Sequence, residues 1–170
     1  DIDDLDEYRV FTFGDSFPQP KQMLKQLRAD GFKVSAIVDP GVKNDPDFGV
    51  LKRGRNAKAF VRKPSGRSDF VGKVWPGPSR FPDFTNDRVR RWWASEQARY
   101  QRKSGLAAVW NDMNEPAVME VPTKTFPLDV RHDYDGHPCS HRKAHNVYGM
   151  QMSKATQEGL RKAAPNRRPF

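Results

Sequence analysis

The run Leu106-Ala107-Ala108-Val109-Trp110 passes without a break into Asn111-Asp112-Met113-Asn114-Glu115-Pro116, and no other stretch narrows the possible folds as much. A strand buried on both faces is a continuous apolar run, whereas a half-exposed one alternates. In parallel α/β folds, ligands bind beyond the carboxyl ends of such strands. The pattern therefore predicts a buried strand that delivers Asp112 and Glu115 to a site, with Trp110, Asn111, Met113 and Asn114 around them. A strand-end aspartate that only caps its own loop is the competing reading.

Around this strand the chain alternates between β and α patterns. Pro18 and Pro20 mark entry to a helix with Met23, Leu24 and Leu27 on its apolar stripe, and Gly31 is placed to close it in the left-handed conformation. Phe32 to Val38 reads as a strand, broken abruptly by Asp39-Pro40-Gly41. The polar segment to Ser68 shows no sustained helical period, and Ala59–Val61 and Phe70–Val74 are suited to pair across Pro64-Ser65-Gly66. Thr85 or Asn86 caps a helix carrying Val89, Trp92, Trp93 and Tyr100, which Gly105 ends. After a polar loop over 117–143, Val147 or Tyr148, Met152, Ala155 and Gly159 continue at helical spacing until Pro165. Alternation of this kind implies a parallel sheet with right-handed crossovers, but does not choose between a barrel and an open doubly wound sheet.

The motif W-N-D-M-N-E-P resembles the catalytic signature of glycoside hydrolase family 31, the α-glucosidase family. D-I-D at Asp1–Asp3, Y-R-V-F-T-F from Tyr8, A-I-V-D-P from Ala36, V-W-P-G from Val74, F-P-D-F-T-N from Phe81 and H-N-V-Y-G from His145 follow the family's order. The resemblance selects a (β/α)₈ barrel, and a whole barrel takes about 250 residues. The expectation is therefore an α/β fold in which residues 1–170 are part of a TIM barrel, around its third and fourth strands. Residues 42–80 form a loop or hairpin insert between those strands, and the remainder of the barrel is the expected partner. The opening D-I-D has no strand before it, and the chain stops at R-R-P-F where a strand is expected, so both ends look cut.

The resemblance also implies roles. Asp112 becomes the nucleophile of a retaining α-glucosidase, and the proton donor falls outside the chain. Glu115, the second catalytic candidate, holds Asp112 and its loop in position. Asp1 accepts hydrogen bonds from distal sugar hydroxyls with Ile2 beside it, while Ile37, Trp75 and Met113 wall the sugar. Asp4-Leu5 stands where Tyr-Met is more usual after D-I-D. The alternative, from another class, is a non-catalytic carbohydrate-binding or interaction module built on the same residues.

A net charge of +9 raises the possibility of nucleic-acid binding. The basic residues are scattered through 52–67, 88–91, 99–103 and 161–168 without an aromatic-studded patch, so neither a nucleic-acid nor a membrane partner is expected. His132, His137, His141 and His145 lie near Asp133, Asp135 and Cys139, with His141 and His145 spaced like a zinc pair. The acid within H-E-x-x-H is missing, and the resembled family uses no catalytic metal; no metal and no cofactor are expected. A single cysteine and the lack of a signal peptide in this segment favour a cytoplasmic location slightly.

Overall fold

The computed structural model describes residues 1–170. Two short 3₁₀ turns, Ile2–Asp4 and Asp6–Tyr8, lead into a loop; the expected strand or extended loop from Tyr8 is loop, with Tyr8 and Phe11 at positive φ. Helix α1 (Pro20–Ala29) starts with Pro20 in its first turn and ends as expected at Gly31, φ 92°. The Phe32 N–H reaches back to the Leu27 carbonyl at 2.8 Å. This bond keeps Phe32 in the helix cap, so strand β1 begins only at Ser35 (Ser35–Val38), three residues later than the apolar pattern suggests.

Strand β2 (Val42–Lys43) is followed by helix α2 (Gly49–Asn56), which sequence periodicity does not reveal. Eight residues give barely two turns, only Val50, Leu51 and Gly54 are buried, and no side chain caps the start. Gly54 is required there: a β-carbon would lie 2.5 Å from the Phe60 ring and 3.1 Å from Trp92. A bidentate pair from Arg53 to the buried Glu96, 2.6 and 2.7 Å, fastens α2 to the next helix. Strands β3 (Val71–Val74) and β4 (Gly77–Arg80) form the regular hairpin, and β2 adds to β4 in the order β2-β4-β3. The turn at 64–66 does close, with Phe70 N–H donating to Val61 and Lys63 N–H to Ser68. Val71–Val74, however, pairs with Gly77–Arg80 and not with 59–61.

Helix α3 (Asp87–Ser104) has both expected caps. Asn86 Oδ1 accepts from Arg88 N–H and Val89 N–H, and Gly105 adopts φ 80°. Strand β5 (Ala108–Asn111) pairs in parallel with β1, setting Ser35 against Ala108 and Val38 against Asn111. A small antiparallel pair, β6 (Arg131–His132) with β7 (Cys139–Ser140), sits within the expected loop. Helix α4 (His141–Ala163) follows at once, six residues before the apolar period becomes visible at Val147.

The core runs from the helix-facing side of the β1–β5 pair, beneath α3 and α4, into the 42–81 segment, which supplies Leu51, Phe60, Val61, Phe70 and Phe81 among others. Ala36 and Val38 enter it from β1, and Val109 from β5. Trp93, Phe84, Phe126 and Tyr148 pack edge to face at its centre, with Phe84 centred 5.1 Å from both Trp93 and Tyr148. None of the helices is long and apolar enough to cross a membrane.

Helices α3 and α4 approach closely at Gly159, where a β-carbon would stand 2.6 Å from the Ala94 carbonyl and 2.7 Å from Gln97 Cβ. Alanine improves helix propensity by about 1 kcal/mol, but overpacking against a neighbouring backbone costs typically about 1–3 kcal/mol. Gly159→Ala is therefore expected to be net destabilising, by roughly 1 kcal/mol. Urea denaturation of the whole protein checks it, and a gain in stability would show that the helices are free to separate.

Candidate active site

Side chains alternate along a strand, so residues two apart share a face. The in-register pairing of β1 and β5 places Ala36 opposite Val109 toward the helices, and Ile37 opposite Trp110 on the other face. One residue beyond each strand, Asp39 and Asp112 continue that second face. The ladder extends through them, as Asp112 N–H donates to the Val38 carbonyl at 3.3 Å.

Ile37 is fully buried, whereas Trp110 is 51% exposed on the same face. Asp112 is half-buried and Glu115 is exposed. The loop between them is held from below. Asn111 Oδ1 accepts from Thr156 of α4 at 3.1 Å, and Thr156 accepts from Trp93 Nε1 at 3.4 Å. Met113 turns the chain at φ 55° and packs against the core. Gly149 of α4 lets the Asn114 carbonyl approach, since a β-carbon there would lie 2.8 Å away.

The structure thus brings Ile37, Trp110, Asp112, Met113 and Glu115 to one end of the strand pair. Asp1 Oδ1 caps its own 3₁₀ turn by accepting from Ile2 N–H at 2.6 Å. Trp75, 49% exposed, forms the tip of the β3–β4 hairpin. No hydrogen bond or ion pair runs from Asp1, Ile2 or Trp75 to Asp112.

Asp39 is the site residue that sequence reasoning passed over, taking it only as the strand breaker before Pro40. It is 5% exposed, and its Oδ1 has no hydrogen-bond partner. Burial, followed by the nearby charges of Asp112 and Glu115, pushes its carboxyl up to about 7. The signal was available: an acid directly beyond an apolar strand is the pattern that identified Asp112.

The histidines do not converge on one point; three of them, His132, His141 and His145, bond in series. His132 Nδ1 donates to Asp83 Oδ1 at 2.8 Å, His132 Nε2 meets His141 Nδ1 at 3.0 Å, and His141 Nε2 meets His145 Nδ1 at 2.9 Å. Both nitrogens of His132 and His141 are therefore engaged by neighbours. Burial, with His132 and His145 on either side, lowers His141 to about 3, so its ring is neutral at ordinary pH.

Known proteins extend the likeness to the whole chain. The family model described as the glycosyl hydrolases family 31 TIM-barrel domain matches residues 1–170. Alpha-glucosidase 2 of Bacillus thermoamyloliquefaciens is 46% identical over 171 residues, covering 100% of this chain and 21% of the relative. Neutral alpha-glucosidase AB of Homo sapiens is 41% identical over 174 residues, covering 100% of this chain and 18% of the relative. Among solved structures, the DNJ-bound glucosidase II alpha subunit superposes with a TM-score of 0.89 at 36% identity, over 100% of this chain and 18% of that one. The chain therefore spans about a fifth of the length of these relatives.

Asp39 makes a pH prediction. Its ordinary value is 3.8, so between there and about 7 the folded protein holds a proton that the unfolded chain has released. Stability then falls as pH rises through that window. Asp39→Asn, which cannot ionise, is expected to flatten the fall and to gain on the order of 1–3 kcal/mol above pH 7. Thermal melts of both proteins from pH 4 to 8 test this; parallel curves would show that Asp39 ionises freely.

Proposed function

The chain belongs to the family 31 glycosyl hydrolases, within their TIM-barrel domain, and from that premise we propose that it carries the nucleophile of a retaining α-glucosidase. Asp112 is that nucleophile. The supporting observation is its position: it leaves the carboxyl end of β5 on the sheet face that the helices do not cover, beside the exposed indole of Trp110. In this reading β1 and β5 are the third and fourth strands of a (β/α)₈ barrel. Residues 42–80 are an insert between them, and the rest of the barrel completes the site.

The substrate is an α-glucoside or a related α-glycoside. An Asp112 carboxylate oxygen attacks the anomeric carbon as the bond to the leaving oxygen breaks, and a glycosyl-enzyme ester forms. A carboxylic acid about 5–5.5 Å away protonates the leaving group and then, as base, activates the water that cleaves the ester. That acid lies outside these residues. Glu115 holds the Asp112 loop and does not transfer the proton; Asp1, Ile2, Ile37, Trp75 and Met113 contact the sugar. An aromatic beside a sugar also gains by stacking on its apolar face.

In the whole protein, Asp112→Asn is expected to lower kcat by about 10⁴-fold or more, the scale of loss when a covalent nucleophile is removed, while the fold persists. Glu115→Gln should cost less, roughly 10–100-fold. Incubation with a fluorinated glycosyl fluoride, followed by peptide mass analysis, should find the sugar on Asp112. Label on Glu115 would reverse the two roles, and no label with undiminished Asp112→Asn turnover would remove the proposal.

A further inference from the structure

Arg62 and Arg131 face each other across an antiparallel bridge in which each backbone N–H donates to the other's carbonyl, at 3.1 and 2.8 Å. Like charges set directly opposite one another are destabilising, so an offsetting anion is expected nearby. The protein does not supply one. Asp69, which also bridges Arg62, turns its carboxylate to Arg80 Nε at 3.2 Å. The Arg62 guanidinium donates only to the Gly66 carbonyl, at 3.0 Å. A β-carbon on Gly66 would lie 3.9 Å from Arg131 Cδ; both arginine side chains therefore converge on the 63–66 turn.

That turn borders a cavity of about 280 Å³, which Lys58 and Arg88 also line. Its two carboxylates are committed elsewhere. Asp83 accepts from Thr85 Oγ1 and N–H, His132 Nδ1 and Asp133 N–H. Asp133 Oδ2 accepts from Asn86 Nδ2 at 2.6 Å and Gly136 N–H at 3.0 Å. Four cations against two carboxylates leave an excess of two positive charges, with no salt bridge to any of the four.

We propose that this cavity binds a phosphate group, either as the free ion or as the end of a small phosphomonoester. A dianion matches the excess charge, and two guanidinium forks suit the tetrahedral oxygens of phosphate in bidentate contacts. The volume lies just below the range for drug-sized ligand sites, about 300–1,000 Å³, as suits a smaller anion. A nucleic-acid strand would instead require a groove that tracks successive phosphates, with aromatic stacking platforms. The site is independent of Asp112 and of the hydrolytic reading.

The test is isothermal titration of the whole protein with inorganic phosphate and, separately, with a hexose phosphate, at constant ionic strength held with chloride. One saturable site per chain is expected. Arg62→Gln/Arg131→Gln together should weaken it at least about tenfold, since hydrogen bonds to charged groups are the strong ones. The double variant should melt no lower than the parent without phosphate, because a like-charge contact has been removed. Should it fail to fold, exposed Lys58→Gln should still weaken binding several-fold, and Arg131→Lys less than Arg131→Gln. Equal affinities for the two ligands identify the free ion, and a tighter hexose phosphate identifies a phosphomonoester. No saturable heat with either ligand, or affinity unchanged in these variants, overturns the proposal.

Discussion

The pairing of β1 with β5 is the constraint on which the rest of the structure depends. Val38 lies against Asn111, so the next residue of each strand is an aspartate on the same face. A slip of one residue would turn every side chain of one strand over. Asp112 would then enter the helix layer and Val109 would leave it. Each strand is only four residues long, so the register is fixed mainly by what packs on it. The helix-facing side is filled by Ala36, Val38 and Val109 against the Trp93–Tyr148 cluster, and Asn111 is tied through Thr156 to Trp93. Core aromatics therefore position the site at second hand: the indole of Trp93 helps decide where Asp112 emerges.

Much of this was legible in the sequence, because it rests on local rules. Asn86 and Gly105 announce both ends of α3, Gly31 announces the end of α1, and the apolar run to Trp110 announces β5, although only Ala108 of that strand is buried and Trp110 is exposed. What could not be read depends on partners distant in sequence. Helix α2 has a two-turn apolar face with glycines at both Gly49 and Gly54, which propensity penalises; it exists because Gly54 fits under Phe60 and Trp92 and Arg53 reaches Glu96. The first two turns of α4 carry His141 and His145 where a period-based reading looks for aliphatic residues. His141 is nonetheless fully buried, because His132 and His145 satisfy its two nitrogens. Polar burial of this kind leaves no apolar period to detect.

The charge has a similar explanation. The chain carries 30 lysines and arginines against 21 acids, and the structure sorts them into two groups. Some are structural: Arg53 on Glu96, Arg9 shared among Asp6, Glu7 and Asp45, and Arg90 on Asp135. Arg53–Glu96 and Arg90–Asp135 join segments that are far apart in sequence, and through Asp45 Arg9 ties the first loop to the segment after β2. Others, Arg62 and Arg131 among them, gather around one concavity without a salt bridge, because the carboxylates that line it, Asp83 and Asp133, are held by other donors. Net charge alone cannot separate these groups, since the distinction lies in where the acids point.

The carboxylates at the strand ends present the opposite imbalance. Asp39 is nearly sealed, and burial first, with the charges of Asp112 and Glu115 second, raises its carboxyl to about 7. A buried carboxyl that resists ionisation is costly to the folded state, whereas carboxylates beside it favour positive charge placed on their open side. Under the proposed chemistry, that side is where an oxocarbenium-like transition state would develop its positive charge. Groups fixed before the reaction need not reorganise during it, which is why preorganised electrostatics contribute so much to catalysis. The attraction between the strand-end carboxylates and that charge would then be realised only at the moment of bond cleavage. That asymmetry between ground and transition state is what a hydrolytic site requires and a sugar-binding module does not.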